Sequence, residues 1–472
     1  MAAFLAAAAA LYLALPRPAG ATPAANLAAP VAPANVSLVL LQAAAAATGA
    51  VALDGSPGAL YIDRGAEAGK WIVYQQGGGW SSSIEACRER ANTSLGSSRL
   101  LAPWSTAVMR EVDYLSNDPA INPVMWNWTH VYLPYLDGFS QVGDVEAPIA
   151  TGPPHNATLY FRGARILAAQ QAYLAAAGLG SAAELVVAGC SAGGLSTYLH
   201  ADKRARAFPR ARVTALADSG FFLNYDWSTG RAGAGQPGDA AFPSNASYPW
   251  RMWWMYAQLA GNTSALSAPC LAAQAPGSQW LCLFAENVAP HLRTPLFALQ
   301  SYYDSYQVAA IANVRNASAP GAQAAVNAYG ALLNARVKAR LLGGAVRHGA
   351  ALDACLHHCG GSGTVVSAGG GEGGGGRAGW RAPRLLRARP FRAPSHGLTP
   401  PAPLPPPPPL SQWPALPFDS NTTRQNGAWA SWWGGSGSRE LWEQVAPFKC
   451  QWCCGKRVTG ERGEGGAQGA VE

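Results

Sequence analysis

The sequence predicts one α/β domain of three layers, in which a mainly parallel sheet is covered on both faces by helices. Five short apolar runs are typical of buried parallel strands, near 71–76, 130–135, 184–189, 213–217 and 294–300. Three longer stretches have helical periodicity, near 160–176, 194–208 and 321–341. Because strands and helices alternate, we expect functional loops at the carboxyl ends of the strands. The Trp- and Pro-rich piece 225–257 is expected to form insertions around such a site.

Composition supports a large core and places most of the charge in one tract. The 472 residues are 49% hydrophobic and 13% charged, which excludes a charge-rich disordered protein. Six arginines and one acid lie within 360–418, a Gly/Arg/Pro-rich tract that carries five of the eight formal positive charges. Since the rest is almost neutral, we expect no nucleic-acid partner.

The tract is interpreted as a disordered insert; the alternatives are a polybasic arm for an anionic polysaccharide or membrane, and an untrimmed non-coding segment.

The N-terminus has the features of a secretory signal peptide. Residues 2–15 form an apolar run followed by small residues, so cleavage is expected near Ala21. No later run is long enough to span a membrane, and we expect a monomer that is secreted to the extracellular space or cell wall. Sequons for N-glycosylation support export, and they lie at Asn35, Asn92, Asn127, Asn156, Asn245, Asn262, Asn316 and Asn421.

These features divide the chain into five segments: a signal peptide (1–21), the main domain (22–359), the low-complexity insert (360–418), a Cys-containing continuation of the domain (419–455) and a flexible tail (456–472). The nine cysteines suit an oxidising compartment, and their odd number leaves at least one outside an intramolecular pair. In an exported chain, disulfides explain the Cys355-x3-Cys359 and Cys450-x2-Cys453 groups better than zinc does. We therefore expect no metal and no cofactor.

A nucleophilic serine is predicted where a strand turns into a helix. Gly189-Cys190-Ser191-Ala192-Gly193 fits the pattern G-x-S-x-G, which is weak by itself in a chain so rich in glycine. The strand before it, the helix after it and the small residues between them match the sharp turn that exposes a nucleophilic hydroxyl. The helix N-terminus also offers free amides to an oxyanion.

The partners that such a serine needs occur elsewhere in the chain. Residues 77–80, GGGW, follow a strand-like run, so Gly79, Trp80 and Ala192 are candidate oxyanion-hole donors. Asp304 follows the strand-like run 294–300 and is the candidate orienting acid, although most such Asp residues only cap or turn. His357 and His358 stand in a loop between two cysteines and are both candidate bases. The order Ser191, Asp304, His358 is that of α/β-hydrolase triads.

Seven collinear segments closely resemble the pectin acetylesterase family, to which the Notum carboxylesterases are related. They are GGGW with Cys87 following, NPVMWNWTHVYLPYLDGFSQVGD, LYFRGARILAAQQAYL, GCSAGGLSTYLHAD, ALADSGFFLN, the segment from Cys270 through TPLFALQSYYDSYQV, and ACLHHC. The resemblance runs from about Ser37 to Cys359 and resumes weakly near Trp429 to Cys454. It implies an α/β-hydrolase-like fold with Ser191 as nucleophile, Asp304 as acid and His358 as base, because His358 directly precedes Cys359. His357 is the fallback base.

The resemblance also shows where this chain departs from the family. The family usually has cysteines where this chain has Ala52, Ser81, Leu136, Ala201 and Ala215. Cys87 could have lost its partner and Cys190 could be a buried thiol, so either could be the unpaired cysteine.

Three functions remain open at this stage, all for a secreted protein. They are a serine carboxylesterase for an acetylated polysaccharide such as pectin, a Notum-like carboxylesterase for a lipid acyl ester, and an inactive glycan-binding relative.

Overall fold

The computed structural model describes residues 36–102, 113–119, 122, 124–152, 156–233, 242, 247–259, 261–317, 319, 321–344, 346–359, 432 and 441–443. The expected signal peptide (1–21), the insert (360–418) and the tail (456–472) lie outside the described residues, as does most of the continuation over 419–455.

Thirteen strands are present in the described part of the chain. They are β1 (Ser37–Leu40), β2 (Ala59–Asp63), β3 (Glu67–Gln75), β4 (Trp128–Leu133), β5 (Ile149–Ala150), β6 (Thr158–Leu159), β7 (Glu184–Cys190), β8 (Arg212–Asp218), β9 (Tyr225–Asp226), β10 (Arg231–Ala232), β11 (Leu296–Ser301), β12 (Gly349–Asp353) and β13 (Leu441–Glu443). Nine of these form one sheet in the order β1-β2-β4-β3-β7-β8-β11-β12-β13. From β4 to β13 every neighbouring pair is parallel, and only β1 and β2 pair antiparallel with their neighbours.

The helices connect and cover this sheet. They are α1 (Gln42–Thr48), α2 (Ile84–Ala91), α3 (Gly163–Ala176), α4 (Ala192–Ala207), α5 (Tyr248–Gln258), α6 (Ala268–Ala273), α7 (Ala285–Val288), α8 (Ser305–Ala310) and α9 (Ala322–Val337), which continues into a π-helical turn at Lys338–Leu342. All five strands and three helices predicted from the sequence are confirmed within a few residues. Of the nine strands in the large sheet, the sequence analysis missed β1, β2, β12 and β13. Strand β12, with the sequence GAALD, is short and has small side chains that give little strand signal.

The sheet is buried on both of its faces, as a three-layer fold requires. Along the central strand β7, Leu185 and Val187 pack on one side with Leu174 and Leu179 from the α3 region. The alternate residues Val186 and Ala188 pack on the opposite side in a different cluster. Helix α4 begins where β7 ends, and nearly all of its first ten residues are buried. The carboxyl end of β7 is therefore held rigidly between sheet and helix.

The region 225–257 forms the β9–β10 hairpin and helix α5 beside the sheet, in its described parts. No helix among the described residues is long and apolar enough to cross a membrane.

We predict that Leu185→Ala lowers the free energy of unfolding by about 2–5 kcal/mol, because it opens a cavity at a fully buried position of the central strand. Urea denaturation measures the loss. Leu100→Ala is the matched control, since Leu100 is 55% exposed and its truncation should change stability by less than about 0.5 kcal/mol. Equal losses in the two variants would contradict this description of the core.

Candidate active site

Ser191 occupies a strained turn between β7 and α4. Its backbone has φ 59° and ψ −126°, a conformation that residues other than glycine rarely adopt. The Ser191 N–H donates to the Asp218 carbonyl at 3.0 Å, and the Ser191 carbonyl accepts from Leu195 N in the first turn of α4. The side chain thus stands at the carboxyl edge of the parallel sheet, and the residue is 8% exposed. This is the geometry of a nucleophile elbow.

Two glycines allow the chain to pack tightly around this turn. A Cβ at Gly193 would lie 2.0 Å from the Gln75 carbonyl oxygen at the end of β3. A Cβ at Gly77 would lie 2.5 Å from the Cys190 carbonyl oxygen and 2.9 Å from Ser191 Cβ. The glycine loop predicted to supply oxyanion donors therefore runs directly against the nucleophile elbow.

The three candidate oxyanion donors are available for a ligand. Among the described residues, none of the N–H groups of Gly79, Trp80 and Ala192 donates a hydrogen bond. Ala192 is the first residue of α4, where amides have no partner within the helix.

Side chains that the sequence analysis missed brace these donors. Trp80 Nε1 donates to Ser140 Oγ at 2.8 Å, and Ser140 Oγ donates to the Ala192 carbonyl at 3.0 Å, so one hydroxyl joins the two donor segments. Arg90 Nη2 donates to the Gly78 carbonyl at 2.8 Å. Burial lowers the pKa of His200 to about 3, so its neutral ring donates through Nε2 to the Ser140 carbonyl at 3.0 Å. Ser140 and His200 lie within segments that resemble the family, but nothing in the sequence marks these two residues or Arg90 as supports of the oxyanion donors.

Asp304 and His358 meet as the sequence predicts. His358 Nδ1 lies 3.0 Å and 2.9 Å from the two carboxylate oxygens of Asp304. Asp304 is fully buried, caps helix α8 by accepting from Gln307 N at 3.0 Å, and accepts from Gln300 Nε2 at 3.2 Å. These bonds fix the carboxylate, so it can orient the imidazole through Nδ1 and leave Nε2 for proton transfer.

A disulfide joins the serine turn to the histidine loop. Cys190, which precedes Ser191, is bonded to Cys359, which follows His358. The expectation that Cys190 could be a buried thiol is therefore wrong. Because the bridge spans 169 residues of sequence, spacing could not have revealed it. The disulfide therefore links the segment that carries Ser191 to the segment that carries His358.

The remaining described cysteines follow the expected pattern of disulfides and one unpaired thiol. Cys270 pairs with Cys282, and Cys355 is also disulfide-bonded. Cys87 is free and buried, and burial raises the pKa of its thiol to about 12 despite a hydrogen bond to Ser81. Of the two cysteines expected as candidates for the unpaired one, Cys87 is therefore the free thiol. Sγ atoms of Cys190 and Cys359 also lie near His358, but their disulfide removes both thiolates as metal ligands.

An aromatic cluster surrounds the candidate base. The Tyr306 ring stacks on His358 with a centroid distance of 5.4 Å, and Phe222 lies 6.2 Å away. Trp80 packs edge-on against Phe222 at 4.8 Å and against Tyr248 at 5.5 Å. Trp80 therefore connects the oxyanion loop to the rings around the histidine.

His357, the fallback base, belongs to a different pair. Its Nε2 lies 3.0 Å and 2.9 Å from the carboxylate oxygens of Asp353, not of Asp304. Burial lowers the pKa of His357, but the neighbouring charge of Asp353, and to a smaller extent Asp218 and Asp304, raises it to about 9. A histidine that is protonated and engaged with Asp353 is a poor general base near neutral pH. The geometry favours His358.

Comparisons with known proteins agree with this fold. The sequence model of the family described as Pectinacetylesterase matches residues 30–362. Pectin acetylesterase 11 of Arabidopsis thaliana is 34% identical over 267 residues, which cover 56% of this chain and 61% of that protein. The human palmitoleoyl-protein carboxylesterase NOTUM is 29% identical over 262 residues, covering 54% of this chain and 49% of the relative. The chain thus spans about half to three fifths of the length of these relatives.

A solved structure extends the similarity to three dimensions. The Wnt deacylase Notum from Drosophila matches with a TM-score of 0.56 and 25% identity over 68% of this chain and 85% of the other. The predicted α/β-hydrolase-like fold class is confirmed.

We predict that the double substitution Cys190→Ala/Cys359→Ala slows the reaction of Ser191 with diisopropyl fluorophosphate about tenfold or more, because His358 is no longer held beside it. The free energy of unfolding should fall by about 4–5 kcal/mol, as expected for a long closed loop. Mass spectrometry of the labelled protein measures the rate.

Cys270→Ala/Cys282→Ala is the matched control for this experiment. Its disulfide has a sequence separation of only 12, so stability should fall by about 3 kcal/mol. The labelling rate should stay at the wild-type value. A wild-type rate without the Cys190–Cys359 bridge would contradict its proposed role.

We also predict that the stabilisation by His357 depends on pH. Its folded pKa of about 9 lies above the ordinary value of 6.5, so its contribution is complete below pH 6.5 and is lost as the pH rises to about 9. The upper bound of this contribution is on the order of 3 kcal/mol. Urea unfolding of wild type and His357→Gln at pH 6, 7.5 and 9.5 measures it, and the difference between the two should shrink with pH. A constant difference would contradict the charge assignment. His130→Gln is the control, because burial lowers the pKa of His130, the opposite shift to that of His357.

Proposed function

Because the chain belongs to the pectinacetylesterase family, we propose that it is a secreted serine carboxylesterase that hydrolyses acetyl esters of a cell-wall polysaccharide such as pectin. The observation that carries the proposal is the strained Ser191 turn beside the Asp304–His358 pair, linked to it through Cys190–Cys359. Acyl transfer needs a nucleophile, an oriented base and free amides close together, and the candidates for all three lie at one edge of the sheet.

The reaction proceeds through an acyl-enzyme. His358 accepts the hydroxyl proton of Ser191 as its oxygen attacks the ester carbonyl, and Asp304 holds the imidazole in the tautomer that leaves Nε2 free. The carbonyl oxygen becomes negative and lies against the amides of Gly79, Trp80 and Ala192. His358 then gives its proton to the departing sugar oxygen. Water, activated by the same histidine, releases acetate and restores Ser191.

The aromatic cluster supports a short acyl group. Phe222 and Tyr248 are buried and lie within ring contact of Trp80 beside the oxyanion loop. An acetyl group needs little room beside these packed rings, whereas a long acyl chain would need a deep apolar pocket. Partly exposed aromatic side chains nearby, such as Tyr306, offer flat surfaces for a sugar ring.

The second candidate function is hydrolysis of a lipid acyl ester on a protein. The likeness to the Drosophila Wnt deacylase structure favours it. It requires an apolar pocket beside Ser191 that is deep enough for the acyl chain.

Two features support export. Eight sequons occur in the sequence, and the described residues contain the disulfides Cys190–Cys359 and Cys270–Cys282, which persist in oxidising compartments.

We predict that the purified protein releases acetate from acetylated pectin and that Ser191→Ala lowers this rate about ten-thousand-fold or more without unfolding the protein. Acetate release and circular dichroism measure the two properties. Long-chain p-nitrophenyl esters are the comparison substrates, and a higher kcat/KM on them would favour the lipid esterase. Cleavage of neither substrate class by the wild type, or wild-type turnover by Ser191→Ala, would overturn the proposal.

A further inference from the structure

The loop from Asp353 to Cys359 contains a second Asp–His pair that the proposed reaction does not use. Asp353 ends strand β12 and is fully buried, and its carboxylate accepts from Cys355 N at 2.8 Å as well as from His357 Nε2. His357 N donates to the Cys355 carbonyl at 3.0 Å. The side-chain pair therefore closes the loop into a compact ring just before His358.

This ring contacts the turn that carries Asp304. The His357 carbonyl accepts from Ser305 N at 3.0 Å, the residue that directly follows Asp304. At the other end of the ring, the Asp353 carbonyl accepts from Tyr302 N at 2.8 Å, and the Cys355 carbonyl accepts from the Ser301 hydroxyl. The loop thus fixes the Asp304 turn on both sides. Any rotation of the His357 backbone would move both members of the Asp304–His358 pair.

The charges explain why the ring needs its histidine. Asp353 is completely inaccessible to solvent, and removing one partner of a buried ion pair leaves an uncompensated charge. Groups facing His357 are Asp353 on its own loop, Asp218 at the end of β8 and Asp304 before α8, and the charge of each raises the pKa of His357 against the effect of burial. An imidazolium is therefore the stable form at neutral pH. Without it, the loop would have to open toward water to solvate Asp353.

We propose that His357 is a positioning residue: its ion pair with Asp353 shapes the loop so that His358 meets Asp304. It touches no substrate, because its Nε2 is engaged with Asp353 and the residue is buried. The inference rests on the proposed esterase function of the same site.

The test compares His357→Gln and Asp353→Asn with wild type in p-nitrophenyl acetate hydrolysis. Each variant should lower kcat about 10- to 100-fold, because a displacement of about 1 Å at the base costs that much, and should leave KM within about twofold. In a His358→Ala background the same substitutions should have no further effect, since groups that act as a unit are not additive. His130→Gln is the matched control, because His130 is a fully buried histidine of strand β4 that hydrogen-bonds the Met125 carbonyl just before that strand. It should keep wild-type kcat.

A second reaction separates failure of this inference from failure of the proposed function. Labelling of Ser191 by diisopropyl fluorophosphate needs the same base but no ester substrate, and His357→Gln should slow it by the same factor as kcat. If the wild type is labelled but hydrolyses no ester, the proposed function fails and the labelling rates still decide the role of His357. If the wild type is neither labelled nor active, both are overturned.

The positioning role is also overturned by wild-type kcat in folded His357→Gln, by a loss confined to KM, or by an equal loss in the His358→Ala background. If His357→Gln does not fold, the kcat of Asp353→Asn tests the same ion pair. This substitution removes the charge of Asp353 and keeps an oxygen that accepts from Cys355 N.

Discussion

The Cys190–Cys359 disulfide is the interaction on which the arrangement of the site depends. It covalently joins the ends of two segments, the turn after β7 and the loop after β12, which are separated in the sheet by β8 and β11. The end of β8 and the residue after it add two hydrogen bonds, because the Asp218 carbonyl accepts from Ser191 N and Ser219 Oγ accepts from Cys359 N. Nucleophile and base are thus held by backbone neighbours, so their side chains need not hold each other. A site built this way is organised before any substrate arrives.

Backbone strain is concentrated in the same place. Seven non-glycine residues of the described chain have positive φ, and five of them lie in the site network: Ser140, Gln141, Ser191, Ser219 and Cys359. Such conformations each cost about 1–3 kcal/mol and persist only where the surroundings enforce them. Here the strained backbone is held in place by the disulfide, by burial at the sheet edge and by the close packing of Gly77 and Gly193 around the Ser191 turn. The strain aims one serine hydroxyl outward at the point where three loops converge.

The sequence predicts the scaffold of this site better than its connections. The strands, the elbow at Ser191, the glycine loop and Asp304 each leave a local pattern, because each depends on a few adjacent residues. The partner of Cys190, the bracing by Ser140 and Arg90, and the choice between His357 and His358 depend on residues far apart in the chain. Adjacent histidines look equivalent in sequence. They differ in the structure because His357 pairs with Asp353, whereas His358 pairs with Asp304.

Those two adjacent histidines form an electrostatic system with the acids around them. Asp218, Asp304 and Asp353 are all buried, and His357 is the cation that their charges favour. In the protein interior the dielectric is low, so a charge there acts strongly on a neighbouring group. In the proposed reaction, His358 becomes a second imidazolium when Ser191 attacks, and the Asp304 carboxylate in contact with it stabilises that charge as it forms. His357 therefore compensates part of the charge of the buried acids, and without it their repulsion would open the loop. The Asp304 carboxylate remains to compensate the charge that the proposed reaction forms on His358.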